Sequence, residues 1–213
     1  MTNRTPRIIA VVVVMMGVSV MFGWFFDVTF LKSIFSNFVT MKFITTICFV
    51  LSGVALYFTA RVVEDGGGWD DLILLFVNFL MALLMASLLI SLFFGIKTGL
   101  EDLFVKEPAG AVKTFVPGRP SLASAINFIM IAVMGSLSLF RRERSLKIIH
   151  ILGVIVAVSG GVAVVGYLID VPALYYHFGR ISTAIALNSA LTFTLLGAGF
   201  YMIREKEDAG SKR

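Results

Sequence analysis

The sequence predicts an all-α, polytopic membrane protein with six transmembrane helices, built as three tandem two-helix repeats. Two observations of composition favour a membrane. Hydrophobic residues make up 58% of the chain and the mean hydropathy is +0.95. Charged residues make up only 15%, against about 25% in soluble domains. The third observation is an internal repeat of nearly constant period, which determines the architecture when it is present.

The repeat is marked by three glycines, each of which closes a long apolar run. Gly23 and Gly95 are 72 residues apart, and Gly95 and Gly166 are 71 residues apart. Each glycine is followed eight positions later by a leucine, and a second apolar run comes after it. That second run carries an aligned aromatic residue in each copy: Phe49, Phe128 and Phe193.

Six apolar stretches are long enough, at about 17–25 residues, to cross a hydrocarbon core about 30 Å thick. None has Asp, Glu, Lys or Arg in its middle. Because lipid offers no partner to backbone groups, such stretches should be helices. The predicted spans are about 8–26, 43–60, 72–95, 121–140, 148–168 and 182–203. They form one membrane domain, 1–213, with repeats at about 8–60, 72–140 and 148–203 and a charged tail at 204–213.

The distribution of basic residues predicts a multi-pass protein of the cell membrane with both termini in the cytoplasm. Eleven of the 18 Lys and Arg residues fall on the side of the termini, which the positive-inside rule assigns to the cytoplasm. We expect the densest cluster to contact anionic lipid, or else an acidic surface of a signalling partner. Nothing in the pattern suggests nucleic acid, since the basic residues lie at helix ends without an aromatic-lined groove. The cluster consists of Arg141, Arg142, Arg144 and Lys147.

The connection inside each repeat is predicted to hold a short helix lying flat on the outer interface. After Asp27, apolar residues recur at the spacing of one helical face, and the third repeat has a similar pattern around His177. Trp24 and Tyr175 suit the headgroup zone. These elements are either hinges that return the chain into the membrane or the rim of a ligand site at the outer surface.

Asp27 and Asp170 occupy equivalent positions at helix C-termini. A carboxylate there opposes the helix dipole, so a local reason is needed. Capping of the following short helix is one reason, and contact with a cation or another ligand is the alternative. The candidate residues for outer-face ligand binding or capping are therefore Trp24, Asp27, Asp170, Tyr175 and His177.

The chain lacks the residue sets of common catalytic and metal sites, so we expect no enzyme, no metal and no cofactor. Its two histidines, His150 and His177, fall on opposite sides of the predicted membrane, and Cys48 is the only cysteine. The two histidines therefore cannot ligate the same metal ion. There is no His-Glu-x-x-His and no glycine-rich phosphate loop. We expect the buried amides of Asn78 and Asn127 to tie helices together.

Three motifs in order resemble a known family. They are Gly23-Trp24-x-x-Asp27-Val28-x-x-Leu31, Pro117-Gly118-Arg119-Pro120-Ser121 and Asn188-Ser189-Ala190-Leu191-x-Phe193. Together they resemble the N-terminal multi-helix membrane input module of bacterial and archaeal sensor histidine kinases and diguanylate cyclases. The resemblance implies a non-catalytic sensor module. Because the chain ends about ten residues after the last span, we expect it to act without its own output domain and to relay a signal to a partner of the kinase or cyclase type.

Two other functions stay open. A small transporter or channel could also be built from three two-helix repeats, although ionisable residues normally mark such pathways inside the membrane. A structural subunit of a membrane complex, or a homo-oligomer, could pack through small residues. The residues expected to face such a partner are Gly160, Gly161, Gly197 and Gly199.

Overall fold

The computed structural model describes residues 3–35, 37–64, 67–96, 98–107, 112, 114, 116–176 and 183–205, and within these ranges it is helical without strands. The predicted all-α class is therefore confirmed for the described part of the chain. Two 3-10 turns, Leu100–Asp102 and Pro172–Leu174, lie in connections. The α-helices are α1 (Arg4–Phe25), α2 (Thr29–Lys32), α3 (Phe43–Glu64), α4 (Trp69–Phe94), α5 (Leu122–Ser138), α6 (Glu143–Leu168) and α7 (Leu187–Tyr201).

Four helices, α1, α3, α4 and α6, are long and apolar enough to cross a membrane, with lengths of 22 to 26 residues. They coincide with the predicted spans, and they indicate a membrane protein. The helices α5 and α7 are shorter, at 17 and 15 residues. Each begins later and ends earlier than its predicted span, so a count of six spans stays a prediction.

The helices divide into an outer and an inner set. Only 28% to 33% of the most apolar window of α1, α4 and α6 is buried, against 67% for α3. The outer helices expose large apolar side chains such as Met15, Phe79 and Phe93. A continuous apolar surface of this kind indicates contact with lipid or another membrane protein.

The inner helices α3, α5 and α7 meet around three aromatic rings. Phe49, Phe128 and Phe193 are fully buried. Their ring centroids are 4.7 to 4.9 Å apart in all three pairs, a spacing at which each aromatic pair adds about 0.5–1.5 kcal/mol beyond its burial. The phenylalanines that align in the sequence thus fill the centre of the bundle, and we name them the phenylalanine triad.

Close glycine contacts join α1 to α3 and α6 to α7. A Cβ atom at Gly53 would lie 2.8 Å from the carbonyl oxygen of Ala10, and a Cβ atom at Gly197 would lie 2.4 Å from that of Gly153. Small residues allow such approach in membrane helices. A second equivalent contact lies further along each pair: Gly17 against Thr46, and Gly160 against Ala190.

These contacts correct the expectation that the glycines of the third repeat face a partner. Gly160 and Gly197 pack inside the α6–α7 pair, and Gly199 packs against Leu56 of α3. Gly161 alone of the four has nothing within 4 Å of its Cβ position. The glycines are therefore used mainly inside the molecule, because the inner helices approach their neighbours too closely for a side chain.

The molecule has two ends. At the loop end, α1, α4 and α6 finish and α3, α5 and α7 begin. At the terminal end, α3 is followed after four residues by α4 and α5 after four residues by α6, and Asn3 lies beside Arg204. Asn3 donates from its side chain to the carbonyl oxygens of Ala60 and Arg204, at 3.2 and 2.9 Å.

Candidate functional site at the loop end

The helices α1 and α6 end in the same backbone motif. Asp27 and Asp170 both have positive φ, 53° and 51°, a left-handed conformation that aspartate tolerates better than most residues. The N–H of Val28 donates to the carbonyl oxygen of Gly23 at 2.9 Å, and that of Val171 donates to Gly166 at 2.8 Å. These bonds define a Schellman C-cap.

The motif explains the spacing of glycine and leucine at Gly23 and Gly166, but not at Gly95, whose Cβ position has nothing within 4 Å. After the left-handed residue the chain folds back over the end of its own helix. A Cβ atom at Gly23 would lie 2.6 Å from the Cβ atom of Leu31, and one at Gly166 would lie 2.6 Å from that of Leu174. Each glycine is needed because the leucine eight residues later packs on it.

The expected capping role of the two aspartates is wrong. The N-cap residue of α2 is Val28 and that of the 3-10 turn Pro172–Leu174 is Val171, without a side-chain capping bond in either case. The local reason for an aspartate at these helix ends is the left-handed backbone. The short helices expected on the interface are a single α-turn and a 3-10 turn.

Trp24 and Tyr167 occupy equivalent positions and make equivalent bonds. The indole N–H of Trp24 donates to the carbonyl oxygen of Met41 at 2.9 Å. The hydroxyl of Tyr167 donates to the carbonyl oxygen of Ile185 at 2.8 Å. In both cases the aromatic side chain near the end of the outer helix hydrogen-bonds to the backbone just before the inner helix.

In the first copy a lysine lies between the aspartate and the aromatic ring. The ammonium of Lys32 bonds to the carboxylate of Asp27, and it lies 5.0 Å from the centroid of the Trp24 ring, within cation–π range. The hydrogen bond from Lys32, and then its charge, hold the pKa of Asp27 below the ordinary value.

In the third copy the position of Lys32 is taken by Tyr175. This ring is stacked on Tyr167, with centroids 3.9 Å apart, and only 2% of the residue is exposed. Tyr175 therefore packs inside the loop end. His177, another predicted site residue, lies outside the described residues.

A small cavity lies between the segment that precedes α3 and the end of α6. Its volume is about 90 Å³. Asp170 is exposed, and its carboxylate has no ion pair or hydrogen-bond partner among the residues that the structure describes. The residues that line the cavity are Asn37, Phe38, Val39, Tyr167, Asp170 and Tyr175.

The loop end also buries two ion pairs that the sequence did not reveal. Arg119 and Glu101 are 3.2 Å apart, and their side chains are 7% and 2% exposed. Lys42 and Glu107 are in direct contact and each is 3% exposed. Removing charges from water is costly, so a buried pair is tolerated only when further hydrogen bonds satisfy it.

The second-copy carboxylates have those hydrogen bonds. Glu101 accepts from Ser91, Thr98 and the backbone N–H of Gly99. Glu107 accepts from Thr40 at 2.8 Å and from the N–H of Gly118 at 2.8 Å. Every carboxylate oxygen of the two residues thus has a donor.

The environment shifts the pKa values of two of these groups. Burial would raise the pKa of Glu101, but hydrogen bonds from Ser91, Arg119 and Thr98 outweigh it and hold that pKa below the ordinary value. Burial lowers the pKa of Lys42, partly offset by the charge of Glu107 and its hydrogen bond. Both carboxylates accept from cationic side chains, so the cluster is arranged to hold charge.

Polar contacts join all three helix pairs. Lys42 precedes α3 and Glu107 follows α4, so their ion pair connects the first and second pairs. Asn188 of α7 donates to the carbonyl oxygen of Leu31 at 3.3 Å. Asn127 of α5 donates to Ser159 of α6 at 3.0 Å, as predicted for a buried amide.

Asn78 behaves differently from Asn127. Its amide atoms are buried against Gly135 of α5, and neither has a hydrogen-bond partner in the described part of the chain. It lines a cavity of about 370 Å³ between α4 and α5. Asn78 therefore packs between α4 and α5 without the interhelical hydrogen bond that a tie between helices requires.

At the terminal end, the basic cluster is only partly free. Arg141 has a positive φ of 47° and pairs with Asp71 at 2.6 Å, so it closes the turn between α5 and α6 onto α4. Arg142, Arg144 and Lys147 are exposed. These three, rather than all four, remain candidates for lipid or partner contact.

The histidine on this side has a structural contact. The ring nitrogen Nε2 of His150 lies 2.8 Å from the carbonyl oxygen of Ile203. Within the described ranges, no group of three His, Cys, Asp or Glu side chains is placed to hold a metal ion.

No known protein family, curated protein or solved structure matches the chain.

Proposed function

We propose that this protein is a non-catalytic, sensor-like membrane module that passes a change at its loop end to its terminal end. Six spans in three two-helix units carry the loop end on the outer face and both termini in the cytoplasm. The signal is a molecule or lipid at the outer face. The receiver is a cytoplasmic or membrane signalling protein of the histidine kinase or cyclase type, as the family resemblance implies.

The observation that carries this proposal is the pair of buried ion pairs at the loop end. Such pairs add little net stability compared with apolar packing, but breaking one leaves an uncompensated charge. We infer that the element held by them switches between discrete arrangements, as a relay requires. Lys42 and Glu107 link α3 to the α4–α5 connection, so a change there acts on two helix pairs.

Rigid helices supply the route to the other end. A helix of 22 residues such as α3 is about 33 Å long at 1.5 Å per residue. Because the helix moves as a rigid body, a displacement of its first residues also displaces its last residues. Equivalent glycine contacts in α1–α3 and α6–α7 support two units of one design. The phenylalanine triad supports three units around one axis.

The alternative of a small transporter or channel finds less support. Substrate would have to pass the centre of the bundle, where the phenylalanine triad is fully buried. A structural subunit is favoured by one feature, the open small-residue surface of α6 around Gly161. Its other expected glycine contacts are satisfied within the molecule.

The partner is tested by mild crosslinking of the tagged protein in its native membranes, followed by mass spectrometry. The informative variant replaces Arg142, Arg144 and Lys147 by glutamine, and Lys106→Gln is a matched control because Lys106 is exposed at the loop end. We expect a kinase or cyclase type protein with the unmodified chain and the control, and its loss with the triple variant. Recovery of only further copies of this chain, or of the same proteins with all three, would contradict the proposal.

A further inference from the structure

We propose that the small cavity lined by Asp170, Tyr167 and Tyr175 binds an organic ammonium group, either free or in a lipid headgroup. The inference deepens the proposed function and rests on it for the consequence of binding. The binding itself is a property of the loop end and can be measured without any partner.

The first copy supplies an internal template. There the ammonium of Lys32 is held by the carboxylate of Asp27 and by the ring of Trp24, 5.0 Å away. The carboxylate belongs to Asp27, the left-handed residue just after α1, and the ring belongs to Trp24, three residues earlier. This arrangement already binds a primary ammonium within the same chain.

The third copy keeps two parts of that arrangement and loses the third. Asp170 has the left-handed backbone of Asp27, and Tyr167 has the carbonyl bond of Trp24. The lysine is replaced by Tyr175. The carboxylate therefore remains at the cavity without an ammonium from the described residues.

The lining of the cavity fits the missing group. Three aromatic rings succeed one another, since Phe38 lies 4.9 Å from Tyr167 and Tyr175 lies 3.9 Å from Tyr167. Aromatic rings with a carboxylate are the means by which proteins recognise alkylammonium groups. The volume of about 90 Å³ admits a small headgroup but not a large ligand. Asp170 would repel an anion and attract an ammonium group.

The first test is binding of tetramethylammonium or choline to the purified full chain in phosphatidylglycerol nanodiscs, followed by saturation-transfer NMR. We expect saturable binding to the unmodified protein and at least a tenfold loss with Asp170→Asn. Asp27→Asn is the matched control, because asparagine also tolerates the left-handed backbone and Asp27 serves Lys32 instead. We expect it to bind as the unmodified protein does.

A second variant and a second lipid complete the test. Tyr175→Lys should supply an internal ammonium and abolish binding while the protein melts as a folded species. In phosphatidylcholine nanodiscs, weaker apparent binding of the probe would identify the lipid headgroup as the occupant, and unchanged binding would identify a free amine. Lack of saturable binding to the unmodified protein, or equal losses with Asp170→Asn and Asp27→Asn, would overturn the inference. These binding results do not test the relay between the two ends. The relay is tested separately, by the distance between α4 and α6 at the terminal end.

Discussion

Charged side chains in the interior of the loop end are the residues on which the proposed relay depends. Glu101 and Arg119 are separated by 18 positions, and Lys42 and Glu107 by 65. No local periodicity connects residues so distant, and all four fall in segments that read as polar connections. The fold of the α4–α5 connection brings Glu101 to Arg119, and the packing of this connection against the start of α3 brings Glu107 to Lys42. This is why sequence reasoning placed the site on Asp27, Asp170 and their neighbours and missed the ion pairs.

The buried pair of Glu101 and Arg119 gives the first prediction. Glu101→Gln removes one charge and leaves the guanidinium of Arg119 buried without its counter-ion, so we expect the free energy of unfolding to fall by roughly 3–5 kcal/mol. Thermal unfolding in detergent measures it. Asp102→Asn, the neighbouring acid-to-amide change, should cost far less. Replacing both Glu101 and Arg119 by methionine should recover most of the loss, and a double variant as unstable as the single one would contradict the assignment.

Acid should weaken the same contact. The folded protein holds the pKa of Glu101 below the ordinary value of 4.5, so the carboxylate contributes stability that is fully present above about pH 4.5. That contribution is lost as the pH falls further, through the lowered folded-state pKa. We expect the melting temperature of the unmodified protein to fall more steeply below this pH than that of Glu101→Gln. Parallel pH profiles for the two proteins would contradict the prediction.

The two aspartates at helix ends illustrate what a pattern can and cannot give. Their equivalence in the repeat correctly identified a special position, because a carboxylate opposes the helix dipole there. The reason was not capping but the left-handed backbone at 53° and 51°. A sequence shows which residue types recur, whereas a backbone angle depends on how the next eight residues fold back.

At the scale of elements, the helix pairs are held by glycines whose positions repeat. The sequence identified Gly160, Gly197 and Gly199 as a packing surface, which is correct. It assigned that surface to an outside partner, which is wrong, because the facing backbone belongs to the neighbouring helices of the same chain. A small residue indicates that another helix packs closely against it, but it does not show whether that helix belongs to the same chain or to a partner.

Two glycines, one in close contact and one in open space, allow a matched test of this packing. A Cβ atom at Gly197 would lie 2.3 Å from the backbone nitrogen of Ala157, whereas a Cβ atom at Gly161 meets nothing within 4 Å. We expect Gly197→Ala to lower the free energy of unfolding by about 1–3 kcal/mol. Gly161→Ala should leave it unchanged or raise it slightly, since alanine favours helix. Equal effects of the two substitutions, measured by thermal unfolding, would contradict the described α6–α7 contact.

For the whole molecule, the sequence predicted the helical membrane class, four of the spans now seen as long apolar helices, and the alignment of three phenylalanines. The short helices α5 and α7 are less well predicted. More than half of the residues in each are buried against other helices, and α5 begins at the polar N-cap Ser121 rather than where hydropathy rises. Burial in the centre of a bundle is a property of the assembled helices and leaves little trace in any single segment.

The phenylalanine triad should be the point where the three helix pairs are most strongly coupled. Phe128→Ala removes a fully buried ring that contacts both other rings, so we expect a loss of about 3–5 kcal/mol in the free energy of unfolding. Ile126→Ala, on the exposed side of α5, is the control and should cost much less. If the two variants unfold alike in detergent, the triad is not the centre of the bundle.

Control of the terminal end by the loop end can be measured as a distance between two helices at the terminal end. Spin labels at Trp69 and Arg144, both exposed at the terminal end on α4 and α6, would be introduced as cysteines in a Cys48→Ala background. We expect Glu101→Gln, at the opposite end of the molecule, to shift the mean label distance by roughly 2 Å, and Asp102→Asn to leave it unchanged. An unchanged distance distribution in folded Glu101→Gln protein would contradict the relay.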